Sequence, residues 1–143
     1  MSFEVKHVLQ KDDWGCTLAT IAMIIGKDYD WVKSEVLQRF HDSNIDFQRR
    51  GISYLDSYEF FIEAGLAWQI KYRVRYHNKR RSEWPPKPWA QVHFCEVRVG
   101  ENSPGHSVVM LESGEVYDPL GGIKRLEDYY ECGVVLGLFS IIN

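Results

Sequence analysis

Apolar positions crowd together in the first half of the chain and alternate with polar ones in the second. Trp14 to Ile25 is apolar on nearly every face (Leu18, Ala19, Ile21, Ala22, Met23, Ile24, Ile25), which predicts a helix buried in the centre of the fold and closed by Gly26. A second helix is predicted from Asp30, as N-cap, to Phe40, with Trp31, Val32, Val36, Leu37 and Phe40 near helical spacing. A third is expected over Ser53 to Ala64, between Gly51 and Gly65. From Trp68 to Tyr76 the period drops to two, that of a half-buried strand. A polar, proline-rich loop follows over His77 to Pro88, then a long β-like run from Trp89 to Val99 and a turn over Gly100 to Gly105. His106–Leu111 and Glu115–Tyr117 flank Ser113-Gly114 and read as a hairpin. Leu126 to Tyr130 suits a short helical turn, and Val134 to Ile142 a final strand. Helices first and an antiparallel sheet after them define an α+β class.

With 143 residues, 45% hydrophobic and 26% charged, the chain fits one domain, 1–143, with a substantial core. A net charge of -3 argues against whole-chain attraction to nucleic acid or anionic membranes. The N-terminus lacks the apolar run of a signal peptide, and Leu18–Ile25 is too short to span a bilayer, so the expected location is cytoplasmic. Cys16, Cys95 and Cys132 are odd in number and widely spaced, which disfavours a disulfide framework or a structural zinc site. His93 and Cys95, two apart on a strand, are at most half a metal site, so no metal and no cofactor is expected. Cys132, beside Gly133, reads as structural.

Cys16 lies where a loop enters the buried helix, and unpaired N–H groups and the helix dipole there favour a thiolate. Gly15 permits a tight turn before it, and the Gln10 amide, six residues upstream, is a candidate oxyanion donor beside the Cys16 N–H. A thiolate needs a base, and the base needs a group that fixes its tautomer. His106 and Asp118, on the hairpin, have that chemistry. A two-residue turn would pair Asp118 with Val109 and point it away from His106. A three-residue loop, Glu112-Ser113-Gly114, pairs Asp118 with Val108 and puts it on the face of His106. The glycine ending that loop suits a type I turn with a bulge, so the three-residue form is expected.

Gln10, Cys16 with its Ala-containing helix, Gly105-His106-x-Val-Val and Asp118-Pro119 together resemble the papain-like cysteine peptidases of the bacteriocin-processing type, which cut leader peptides after a double glycine. The resemblance runs from Gln10 to the final strand. It implies a papain-like fold and a thiol hydrolase with Cys16 as nucleophile, His106 as base, Asp118 orienting His106, and Gln10 at the oxyanion hole. Trp14, Gly15, Gly105 and Trp89 are the expected substrate contacts. The chain departs from the family pattern at Gly15, where Asp or Asn is usual, and at Thr17, where Gly is usual. Members of this type are usually fused to a membrane transporter, so a standalone, peptidase-like member is the better match.

Two other readings compete. Lys71, Arg73, Arg75, Lys79, Arg80 and Arg81 form a basic stretch that could bind an anionic partner, with Tyr76, Trp84 and Trp89 for stacking; the chain would then be a non-catalytic papain-like binding module. Acyl transfer to an amine, in place of hydrolysis, needs no different residues.

Overall fold

No charged side chain occurs between Cys16 and Ile25, and α1 (Cys16–Ile25) accordingly buries every residue from Thr17 to Ile24. A computed structural model describes residues 4–41, 51–72 and 87–141. Helix α1 starts two residues later than its apolar pattern does, because Trp14 and Gly15 belong to the entering loop; Gly26, in the left-handed region with φ 73°, ends it by donating to Ala22 O. In helix α2 (Tyr29–Arg39) the N-cap position is held by Asp28 rather than Asp30, without a side-chain capping bond. Asp30 instead lies in its first turn, 2.9 Å from Lys11. The third helical segment is split. Ser53 and Asp56 form a capping box over a 3-10 turn, Tyr54–Ser57, before α3 (Tyr58–Glu63).

Gly65 then turns the chain into β1 (Leu66–Tyr72), which precedes β2 (Val92–Arg98), β3 (His106–Leu111), β4 (Val116–Tyr117), β5 (Ile123–Lys124) and β6 (Glu131–Ser140). These form one antiparallel sheet in the order β1-β6-β2-β3-β4-β5. The last strand begins three residues before its predicted start, and β5 has no apolar alternation to announce it. The remainder of the expected first strand, the loop to Pro86, and Arg73, Arg75, Lys79, Arg80 and Arg81 lie outside the described residues.

Both sheet faces are covered. Phe94, Val109, Leu136 and Leu138 point toward α1 and α3, against Met23, Ile24 and Phe61. On α1's other flank Leu18, Ile21 and Ala22 meet Val32 and Val36 of α2. Complete burial of each such Leu, Ile or Phe contributes roughly 1.5–3 kcal/mol. Cys95, Val108, Val116, Leu126, Tyr129 and Cys132 fill the opposite face. This packing aligns the first turn of α1 with the first residues of β3. Among the described residues, no helix is long and apolar enough to cross a membrane.

Candidate active site

The β3–β4 hairpin sets the geometry. Val109 pairs with Tyr117 and Met110 with Val116, so the connecting loop is Glu112-Ser113-Gly114, the three-residue form. Gly114 takes φ 92° there and donates to Leu111 O. Asp118, one step beyond the paired residues, therefore faces the same way as His106. The His106 Nε2–H donates to Asp118 Oδ1 over 2.7 Å, with both side chains almost wholly buried. That leaves Nδ1 as the ring nitrogen that engages the Cys16 thiol.

Asp118 is held from all sides. The Tyr129 hydroxyl donates to Oδ2 (2.7 Å), the Leu120 N–H donates to Oδ1 (2.9 Å), and Lys124 Nζ lies 3.6 Å from Oδ2. His7 Nε2 bonds the Asp118 carbonyl at 2.6 Å while its ring stacks on Tyr117. The Gln10 N–H donates to Pro119 O, so the N-terminal segment clamps the loop that carries the carboxylate. No sequence pattern marks Tyr129, Leu120 or His7 for this role, because each acts by a contact distant in the chain.

The charges follow from these contacts. Burial alone would raise the Asp118 carboxyl, but the bonds from His106, Leu120 and Tyr129 outweigh it and hold the carboxyl far below the usual range. Burial alone would lower His106; the Asp118 and Cys16 bonds reverse that and bring it up to about 9. Burial alone would raise the Cys16 thiol, and the His106 bond, the Ser107 backbone and the Thr17 side chain bring it below its ordinary value. The array thus favours thiolate beside imidazolium.

Thr17, where the family pattern has Gly, ties the start of α1 to its surroundings. Its side chain turns inward, donating to Ile52 O (2.7 Å) and sharing a buried 2.9 Å hydrogen bond with Ser107 Oγ, which bolts the start of α1 to β3. Gly15 is required for space: a Cβ there would fall 1.9 Å from the Tyr29 hydroxyl. That hydroxyl donates to Asp12 Oδ2 (2.7 Å), Lys33 bonds Oδ1 (3.0 Å), and Asp12 O accepts from the Gly15 N–H, so α2 grips the loop leading to Cys16.

Cys16 opens into a cleft of about 510 Å³ whose walls include Trp14, Thr17, Glu96, Arg98, Gly105 and Ser107. Trp14 and Gly105 are thus brought to the nucleophile, and Gly15 sits directly behind it. Trp89 is not brought there. It lies beyond the far end of β2, its indole in the space left by the missing side chain of Gly137, edge-on to His93 and under Lys71. Gln10 donates its side-chain N–H to the carbonyls of Asp12 (2.9 Å) and Asp13 (3.4 Å), and its buried Oε1 has no hydrogen-bond partner among the described residues. A larger cavity, about 720 Å³, lies behind the C-terminal half of α1 between the N-terminal segment and Trp31, and contains none of the Cys16, His106 or Asp118 side chains.

The arrangement of the first turn of α1 against the first residues of an antiparallel sheet has a solved counterpart. A crystal structure of a double glycine motif protease from an AMS/PCAT transporter, in complex with the leader peptide, superposes with a TM-score of 0.54, over 96% of this chain and 92% of that one, at 19% identity. The fold is papain-like. No family model matches the chain, and no curated protein does. Within this papain-like fold, His93 is a structural residue: Nε2 accepts from the Trp89 and Ala90 N–H groups (3.1 Å each) and Nδ1–H donates to Met110 O, leaving no ring nitrogen for a metal. Cys95 faces Cys132 across the strands, and all three thiols are free.

Proposed function

We propose that the chain is a cysteine hydrolase that cleaves a peptide or amide bond, isopeptides included, through a thioester at Cys16, acting as one domain. The supporting observation is the buried Asp118–His106 pair directed at a thiol whose pKa lies below the ordinary value. The Cys16 thiolate attacks the substrate carbonyl carbon and forms the C–S bond. The Cys16 N–H, at the start of α1, and the Gln10 amide receive the oxyanion. Gln10's role asks its side chain to release the longer Asp13 contact and turn that N–H toward the substrate. His106 passes its Nδ1 proton to the departing amine as the C–N bond breaks. It then takes a proton from the water that attacks the thioester, releasing the acid and restoring thiolate and imidazolium. Asp118 keeps the ring in orientation throughout.

No cofactor enters these steps. The solved neighbour is a protease bound to a leader peptide, which supports a peptide-like substrate in the cleft here. Three free thiols suit a reducing compartment such as the cytoplasm. The test is cleavage profiling against a library of peptides and isopeptides. Turnover by the native chain that disappears in Cys16→Ala supports the mechanism, and a Cys16→Ala chain with undiminished turnover defeats it.

A further inference from the structure

The cleft beside Cys16 contains a carboxylate that the hydrolytic mechanism does not use. Glu96 pairs across the strands with Ser107, the residue after His106, and so projects from the sheet face that packs on α1 into the wall of the cleft. Its carboxyl group lies against Gly105; a Cβ at that glycine would stand 3.5 Å from the carboxyl carbon. The side chain is half-buried, and among the described residues no hydrogen bond or close ion pair holds its carboxylate; the charge of Arg98 acts on it only from farther away.

Arg98, two residues along the strand, is the cation among the described cleft-lining residues, and its charge is already engaged. Its Nε is 2.9 Å from Glu131 Oε1 and its Nη1 donates to Ser103 O over 2.8 Å. Asp13 adds a second carboxylate to the lining. With Arg98 matched by Glu131, the described walls carry excess negative charge. A partly desolvated carboxylate is costly: burial raises the Glu96 pKa by more than the Arg98 charge lowers it, a penalty that an arriving cation would relieve.

We propose that Glu96 is a specificity-determining residue, holding a lysine or arginine side chain of the substrate next to the bond that Cys16 attacks. This rests on the hydrolase reading above and names its substrate class as basic peptides.

The experiment uses peptidyl acyloxymethyl ketones, which alkylate a catalytic thiol with loss of carboxylate and need no known substrate. Members carry Lys, Arg, Leu, Gly or Glu at the first or second residue before the reactive group. The rate of Cys16 modification is followed by mass spectrometry of the full chain. The native chain is expected to react tenfold or more faster with the best Lys or Arg member than with Leu or Gly, the order expected of one charge-assisted hydrogen bond. Glu96→Gln should reduce that preference to about threefold or less, and Glu96→Lys should favour the Glu members. Iodoacetamide, which carries no side chain to recognise, should still label Cys16 faster than Cys95 and Cys132 in all three. A native chain without basic preference, or a Glu96→Gln chain that keeps it, overturns the proposal while leaving the hydrolase reading intact. If iodoacetamide labels Cys16 no faster than Cys95 and Cys132, the hydrolase reading fails, and this proposal with it.

Discussion

Replacing Asp118 with Asn tests the electrostatics of the site most directly. The amide oxygen can still accept from His106 and Leu120, so the shape is largely kept while the charge is removed. Tyr129, which now donates to Oδ2, would face an amide N–H and have to rotate. His106 sits at about 9 in the native chain against an ordinary 6.5. The gap of about 2.5 pH units corresponds to roughly 3 kcal/mol favouring the imidazolium, shared between Asp118 and Cys16. Asp118→Asn should therefore lower the His106 pKa by one to two units, read as the NMR titration of its ring protons. Running the titration also in Cys16→Ala removes the thiolate's share. A second readout is stability against pH. Because the folded pKa of His106 exceeds the unfolded one, its contribution is complete below about pH 6.5 and is lost as pH rises through about 9. Asp118, depressed in the fold, contributes above about pH 3.9, and its share is lost at lower pH. Cys16, depressed in the fold, acts in the opposite sense over the same window, so the effect is read in Cys16→Ala: its urea unfolding should weaken as pH rises above 6.5, and adding Asp118→Asn should flatten that fall. An unchanged His106 titration in the variant would refute the assignment of Asp118 as the source of the shift.

The remaining predictions concern the nucleophile and its supports. Iodoacetamide should label Cys16 at lower pH than an ordinary thiol and faster than Cys95 or Cys132; labelling that rises only near the ordinary thiol value of about 8.5 would remove the thiolate from the mechanism. Above about pH 9, loss of the His106 proton should depress turnover even though the thiolate persists, which a kcat/KM profile reads as the alkaline limb. Gly15→Ala should cost about 2 kcal/mol or more in chemical denaturation by forcing Tyr29 away. Combining it with Tyr29→Phe should recover part of that cost; purely additive effects would show that the clash is not the cause. Tyr129→Phe leaves Asp118 Oδ2 without its hydroxyl donor and should cost about 1–3 kcal/mol in urea unfolding, and an unaffected midpoint would mean the bond is not stabilising.

Local physics made much of the fold legible. The unbroken apolar run of α1 could only be a central helix, and period-two alternation separated the sheet from the helices. The His106–Asp118 relation was readable because side-chain direction along a strand depends on loop length alone, and Gly114 supplies the left-handed residue that a three-residue loop needs. Element ends were less legible where competing cap candidates stood two residues apart, as Asp28 and Asp30 do at the start of α2.

What the tertiary structure alone decided has a common cause: contacts between segments far apart in the chain, which periodicity does not encode. Trp89 seemed as suited to a cleft as Trp14, yet only the packing shows it filling the space above Gly137, at the other end of the sheet. Thr17 departs from the family pattern's Gly, and only the packing shows its hydroxyl bonding Ile52 and Ser107. Asp118 needed Tyr129, and Gly15 needed Tyr29, to explain why those residue types stand there. The residues with candidate chemistry and the register that aligns them were thus determined by the sequence itself. Their desolvation, their charge states and the half-buried carboxylate of Glu96 exist only once α1, the sheet and the N-terminal segment close around them and exclude water.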